Sequence, residues 1–386
     1  MPEAGSLQNS PAPGAGTPGP ARPRLGRSRP VPPLGQARPG VGASGSARPG
    51  IGTPGSARPG IGTPGSARPD RHARIGTPGS ARSSWFAPGL TRQFASPRPP
   101  RPYTGAVPEL PEVETVRRGI APVLEGGRIE RAQILDSRLV RPFDPGIVAG
   151  ELVGERVAAV ERRGKYLIVR FESGRVLLIH LRMTGSLRHA RHGALAEDPH
   201  TRAVLTLDNG SDVAYRDVRR FGTWELLEWS EVRPFFEQRL GPEPLGSLSA
   251  ERLGRRLAGR RAPLKSALLD QRTVAGLGNI YVDEALWHGR LHPRREAGSL
   301  DVEELRRLHR AVRKVLRLGI ERQGSTLRDY VAPDGGYGTM QDEFRAYGRS
   351  GEPCDRCGVP LDRIVVGGRG TTYCPRCQVN GAPAQG

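Results

Sequence analysis

The four cysteines of this 386-residue chain lie in its last 33 residues as two matched pairs, Cys354-x2-Cys357 and Cys374-x2-Cys377, with sixteen residues between them. Four thiolates at that spacing can close a tetrahedral zinc site. A redox pair is the rival chemistry, and a second matched CxxC in one hairpin-sized segment disfavours it. Four protein ligands leave no open position, so the expected zinc is structural. Arg356, Arg363, Arg369 and Arg376 surround the cysteines, which suits a small hairpin laid against phosphates; a stability clip is the plain alternative. Chemistry that needs an amine has few candidates, because of 59 basic residues only Lys165, Lys265 and Lys314 are lysine. Asn279 falls between Gly278 and a helix expected from about Ile280, where its amide and the neighbouring N–H groups can hold a phosphate.

The elements that must position these groups are legible from periodicity. Val113, Val116, Ile120, Val123 and Leu124 share one face of a helix of about a dozen residues ended by Gly126-Gly127. Strands are expected over Arg128–Leu135, Val157–Phe171 with a break near Gly164, Val176–Arg188, Val204–Leu207, and Asp212–Glu228 with a break near Arg219–Gly222. Turn signals such as Asp208-Asn209-Gly210 separate them, as in antiparallel hairpins. After Gly241-Pro242 the pattern becomes helical over Ala250–Arg261, Leu264–Gln271, Ile280–Arg290 and Val302–Arg322. The fold class is therefore α+β and multidomain. An N-terminal helix with an antiparallel β-sandwich or barrel-like domain (residues 107–240) precedes a helical domain (241–348), a four-cysteine module (349–378) and a tail (379–386).

Residues 1–106 are a different polymer. They hold 21 of the 37 prolines, 19 of the 52 glycines and 14 arginines against only Glu3 and Asp70, supplying +12 of the net +20. The unit SARPGIGTPG occupies 46–55, repeats identically at 56–65 and recurs in degraded form over 66–82. So short a repeat cannot bury enough apolar surface to offset its ordering entropy, and disorder is expected. A basic tail adding nonspecific DNA affinity is the functional alternative. No apolar run approaches the length of a membrane span and no signal-peptide core follows the first charges, so a cytoplasmic protein is expected. The remaining charge of about +8 favours a polyanionic partner.

Several blocks carry a resemblance. Pro108-Glu109-Leu110-Pro111-Glu112-Val113-Glu114-Thr115, Arg163-Gly164-Lys165-Tyr166-Leu167, His180-Leu181-Arg182-Met183-Thr184-Gly185-Ser186-Leu187, Asp217-Val218-Arg219-Arg220-Phe221-Gly222, Gly276-Leu277-Gly278-Asn279-Ile280-Tyr281 and the cysteine finger follow in order. Together they resemble bacterial formamidopyrimidine-DNA glycosylase from Pro108 to about Gln378. The resemblance implies a helix-two-turn-helix domain over 241–348 and a zinc finger over 349–378, with one structural zinc per chain. It also implies base-excision repair of double-stranded DNA by a monomer that removes oxidised purines, 8-oxoguanine and formamidopyrimidines, and then cleaves the abasic strand.

Residue roles follow from the same resemblance. Pro108 resembles the family's nucleophile, an N-terminal secondary amine that attacks C1′ and forms an iminium. Glu109 resembles the general acid for the opening sugar ring, and Lys165 a second general acid/base. Taken singly, Pro108 could merely start a helix, Glu109 offset its dipole and Lys165 be a solvated strand-end charge. Met183, Arg219 and Phe221 match the residues that fill the void left by a flipped nucleotide; Met183 and Phe221 as ordinary core is the bland reading. His200, Arg260, Asn279 and Arg369 align with backbone contacts, and Arg369 with a role in the second elimination. The stretch 330–347 resembles a loop closing over the flipped base. Arg182 stands where the family often has glycine, and Val218 where it often has proline.

Pro108 is internal here, and an acylated proline nitrogen has its lone pair delocalised into the carbonyl. The expectation is that translation begins at Val107, read as an initiator methionine that is then removed, with residues 1–106 being translated upstream DNA. Two alternatives stand beside the favoured function. One is an endonuclease VIII type enzyme for oxidised pyrimidines; the other is a non-catalytic damaged-DNA-binding protein, if the extension is retained.

Overall fold

The computed structural model describes residues 107–325, 336 and 338–381. The repeat segment 1–106 and part of the loop expected over 330–347 lie outside the described residues. Helix α1 (Leu110–Leu124) opens with Glu109 as N-cap in a reciprocal capping box with Glu112, and Pro111 sits in its first turn, where a missing N–H costs nothing. Its stripe of Val113, Val116, Ile120 and Leu124 is fully buried.

Two four-stranded antiparallel sheets form the sandwich, one ordered β1 (Ile129–Ile134), β6 (Thr201–Leu207), β7 (Ser211–Asp217), β5 (Gly185–Arg191). The other runs β2 (Val157–Arg163), β3 (Tyr166–Phe171), β4 (Arg175–His180), β8 (Thr223–Glu228). Their facing side chains, including Leu167, Leu177, Ile179, Leu187, Leu205, Tyr215 and Trp224, make one core with the α1 stripe.

The sheets correct one expectation. Val176–Arg188 is two strands in different sheets, not one. Between them the chain turns over Leu181–Thr184, with Arg182 at φ 55° and the Gly185 N–H donating to the Leu181 carbonyl. A Cβ on Gly185 would stand 2.4 Å from both that carbonyl and the Tyr215 hydroxyl. Apolar texture continues through the turn because both strands feed the same core, so periodicity alone does not show the crossing.

Two helices had no counterpart in the sequence reading: α2 (Pro145–Leu152) and α3 (Trp229–Arg239). The capping box of Glu228 and Glu231 starts α3, and Pro234 sits inside it. Its Val232, Phe235 and Phe236 cover the outer face of the second sheet, packing on Tyr166, Ile168, Val176 and Leu178. Both faces of β3 and β4 are thereby buried, which explains their nearly continuous apolar runs.

The helical part contains α4 (Ala250–Leu257), α5 (Leu264–Leu269), α6 (Asn279–Gly289) and α7 (Val302–Glu321) around a second core. Helix α4 ends four residues before the expected Arg261, and Gly259 turns the chain at φ 69°. Leu110, the first residue of α1, belongs to this second core, while the rest of the α1 stripe belongs to the first. The start of α1 is thus fixed at the junction of the two cores. The finger is a hairpin of β9 (Asp362–Val366) and β10 (Arg369–Tyr373).

Candidate nucleic-acid interface and catalytic centre

A cleft of about 930 Å³ is lined by Glu109, Lys165, Met183, Arg219, Phe221, Asn279 and Arg369, together with Val107, His180, Arg182 and Tyr347. Seven residues singled out from the sequence are therefore brought together from α1, the β2–β3 turn, two loops of the sandwich, α6 and the finger. Pro108 is buried and is not itself among the lining residues, although its neighbours Val107 and Glu109 both are.

Glu109 is held by the first turn of α6. Its carboxylate accepts the N–H groups of Gly278 at 2.6 Å, Ile280 at 2.8 Å and Tyr281 at 3.3 Å, three donors at the start of α6. The helix dipole favours a negative charge at that place. A Cβ on Gly278 would lie 2.4 Å from the Glu109 carboxyl carbon, so the glycine makes the approach possible. The neighbouring contact is equally close: the Leu110 N–H donates to the Gly276 carbonyl at 3.0 Å, and a Cβ on Gly276 would meet the Leu110 side chain at 2.7 Å. The carboxyl is 2 % exposed, and its burial, only partly offset by the Lys165 charge, raises its pKa to about 7. Glu109 is therefore poised to give or take a proton near neutrality.

Lys165 follows Gly164 (φ 56°) in the β2–β3 turn. Burial depresses its pKa, opposed by the fields of Glu109 and Glu112 and reinforced by that of Arg369. Glu112 accepts the Glu109 N–H at 3.0 Å, the Tyr281 hydroxyl at 2.9 Å and the Ser325 N–H at 2.8 Å.

Met183 and Phe221 are not core residues: Met183 is half-buried at the cleft wall and Phe221 is 51 % exposed, with the Arg219 guanidinium 4.9 Å from its ring centre. Asn279 is the first residue of α6; its Nδ2 donates to the Gly370 carbonyl at 3.2 Å, and its buried Oδ1 has no partner among the described residues. Arg369 follows Gly367 and Gly368, both at positive φ, at the tip of the hairpin.

His200 and Arg260 do not line the cleft. The His200 N–H donates to Asp198 at 2.8 Å, and its carbonyl accepts the Asp217 N–H at 2.9 Å. Arg260, between α4 and α5, donates to Asp270 at 3.3 Å.

Sequence reasoning missed the supports of this site. Lys265 is fully buried, paired with Asp283 at 2.6 Å, and donates to the Gly370 carbonyl at 3.1 Å; Asp283 also accepts the Thr372 N–H at 3.2 Å. This pair ties α5 and α6 to the strand that begins at Arg369. Lysine scarcity was the signal that could have marked it. His180, whose pKa burial lowers to about 3, is a neutral imidazole in the cleft wall.

The ligand atoms of Cys354, Cys357, Cys374 and Cys377 lie within 4.8 Å of one another. Zinc–thiolate bonds of about 2.3 Å in a tetrahedron need sulfur separations of this order, so the donor set fits zinc. Trp287, Ala346 and Leu361 pack around Cys354 and Cys374 and anchor the cluster on α6.

Fold and site together define a two-sheet domain, a helical domain and a four-cysteine finger that share one cleft, and comparison with known proteins gives the family. The family models described as formamidopyrimidine-DNA glycosylase N-terminal domain, formamidopyrimidine-DNA glycosylase H2TH domain, and zinc finger found in FPG and IleRS match residues 107–224, 240–331 and 351–379. The chain is 47 % identical over 275 residues to the formamidopyrimidine-DNA glycosylase of Symbiobacterium thermophilum, covering 70 % of this chain and 89 % of that one. It is 43 % identical over 274 residues to that of Herpetosiphon aurantiacus, covering 70 % and 100 %. Among solved structures it is similar to a Lactococcus lactis FPG mutant bound to Fapy-dG-containing DNA, at TM-score 0.67 and 38 % identity, covering 71 % of this chain and all of that one. It is also similar to MutM (FPG) from Thermus thermophilus, at 0.64 and 43 %, with the same coverage. The chain belongs to the formamidopyrimidine-DNA glycosylase family.

Proposed function

We propose that this protein removes oxidised purines from double-stranded DNA and then cleaves the abasic strand, both through a covalent intermediate on Pro108. The observation that carries this reading is the seating of Glu109, directly after Pro108, on the N-terminus of α6, with Lys165 lining the same cleft. In the first step the Pro108 nitrogen forms a bond to C1′ and the bond from C1′ to the base breaks, the base leaving with a proton. Glu109 gives its proton to the ring oxygen as the sugar opens, leaving an iminium. The iminium acidifies the C2′ hydrogen, whose removal expels the 3′ phosphate; a second elimination, with Arg369 beside the phosphate, expels the 5′ phosphate. Met183, Arg219 and Phe221 fill the gap left by the flipped nucleotide. The four cysteines hold a structural zinc that fixes the finger.

The nucleophile requires a free amine, so the active form begins at Pro108. Two facts support this: the family match begins at residue 107, and 70 % of this chain spans the whole Herpetosiphon relative. The test incubates the chain beginning at Pro108, and separately the full chain, with duplexes carrying 8-oxoguanine, a formamidopyrimidine or thymine glycol, with and without borohydride. The shorter form is expected to be trapped on the two purine lesions, and Pro108→Gly to lose trapping and strand cleavage. Preference for thymine glycol would instead assign an oxidised-pyrimidine enzyme. A trapped full-length chain, its N-terminus confirmed by mass spectrometry, would overturn the nucleophile assignment.

A further inference from the structure

The three proposed void-filling residues stand on two separate loops. Met183 belongs to the turn between β4 and β5, where the chain changes sheets, whereas Arg219 and Phe221 belong to the loop between β7 and β8. One carboxylate joins them. Asp217, 1 % exposed, accepts the Thr184 hydroxyl and the Arg219 N–H (3.2 Å) on Oδ1, and the Gly222 N–H (2.7 Å) on Oδ2. Thr184, 5 % exposed, spends its one hydroxyl proton on Asp217 and accepts the Arg219 N–H at 2.9 Å. Each bond is fixed in direction, because both N–H groups can only donate and the carboxylate can only accept.

The rest of the loop is held as firmly. Arg220 sits at φ 59°, a conformation costing a non-glycine residue about 1 kcal/mol, and its guanidinium grips buried Asp136 at 2.5 and 2.8 Å. The Arg202 Nε donates to the Asp217 carbonyl at 2.9 Å. A Cβ on Gly222 would come within 1.7 Å of the Tyr215 hydroxyl, so the loop leaves the core where only glycine passes. Strained backbone fixed by buried acids is what preorganisation for a ligand looks like.

We propose that Asp217, acting with Thr184, is a positioning residue that locks the Met183 turn and the Arg219–Phe221 loop into a single rigid wedge, set before DNA arrives. The proposal rests on the void-filling reading of those three residues and is independent of the Pro108 chemistry. The wedge then enters the duplex without ordering two loops during insertion, a cost that would otherwise be subtracted from the stacking recovered. Asp217→Asn keeps the volume but turns one acceptor into a donor, facing either the Gly222 N–H or the Arg219 N–H. Thr184→Val removes both bonds of the hydroxyl, and Thr184→Ser keeps them.

The test is a binding measurement on the full chain, because insertion needs no free amine. A duplex carrying 8-oxoguanine with 2-aminopurine beside it reports unstacking by fluorescence in stopped flow, and binding to undamaged duplex is measured in parallel. The wild-type chain is expected to give a rise that Phe221→Ala and Met183→Ala diminish. Asp217→Asn and Thr184→Val should slow the rise by about tenfold or more, with affinity for undamaged DNA within about twofold, and Thr184→Ser should restore the wild-type rate. Wild-type kinetics in Asp217→Asn and Thr184→Val, with Phe221→Ala impaired, would sink the inference and leave the wedge reading standing. Unchanged signal in Phe221→Ala and Met183→Ala would remove the wedge reading itself, and the inference with it. An equal loss on both duplexes would make Asp217 a fold-stability residue and refute the positioning role. If Asp217→Asn fails to fold, the Thr184 pair decides.

Discussion

Glu109 shows what a single residue gains from its seat. A carboxyl with an ordinary pKa of 4.5 is held at about 7, chiefly by burial, although the Lys165 charge and the N–H groups of Ile280 and Tyr281 pull the other way. Folding therefore favours its protonated form, so its contribution to stability is complete below about pH 4.5 and is lost as pH rises through 7. The predicted consequence is a wild-type melting temperature that falls across that window more steeply than that of Glu109→Gln, by an equivalent of up to about 3 kcal/mol; parallel curves would contradict the assignment. Base excision by the Pro108-start form should lose rate above pH 7, as the general acid deprotonates, in a single-turnover pH profile. The adjacency of Pro108 and Glu109 was plain in the sequence. The seat that buries the carboxyl was not, because Gly278, Ile280 and Tyr281, which hold it there, lie about 170 positions away.

Helix α6 is the element on which the site converges. Its N-terminus holds Glu109, Asn279 reaches Gly370, Asp283 holds Lys265 and Thr372, and Glu284 accepts the N–H groups of Arg345, Ala346 and Tyr347. Trp287, near its end, packs against the cysteine cluster. Breaking its buried ion pair from one side leaves an uncompensated charge. Asp283→Asn is predicted to cost about 3–5 kcal/mol in chemical denaturation, with much of the loss recovered when Lys265→Met is added. Additive losses would show that the two groups act separately. The sequence placed α6 to within a residue at each end but gave no reason for its two interior acids. By contrast α3 was invisible, since Pro234 and sparse periodicity disguise a helix whose role is to cover a sheet.

At the scale of the molecule, the cleft draws on both cores and on the finger, so its assembly depends on the finger being in place. Chelating the metal from the cysteine cluster is expected to release Arg369 and weaken binding to lesion-containing duplex sharply, measured by fluorescence anisotropy, while the β-sandwich circular dichroism signal persists. Unchanged affinity would reduce the finger to a stability clip. Within the described residues no helix is long and apolar enough to cross a membrane.

The sequence by itself determined what is local. It settled the four-cysteine set, the leading helix, most strands, the helical second half and the block order that resembles the family, because spacing and periodicity are properties of neighbouring residues. Only the tertiary structure decided that Val176–Arg188 changes sheets, that His200 and Arg260 do not line the cleft, and that Glu109, Lys265 and Asp217 are each locked by partners distant in the chain. The physical reason is the same in each case. Burial and hydrogen-bond direction are set by whichever segments meet in space, and one chain's texture carries no record of that meeting.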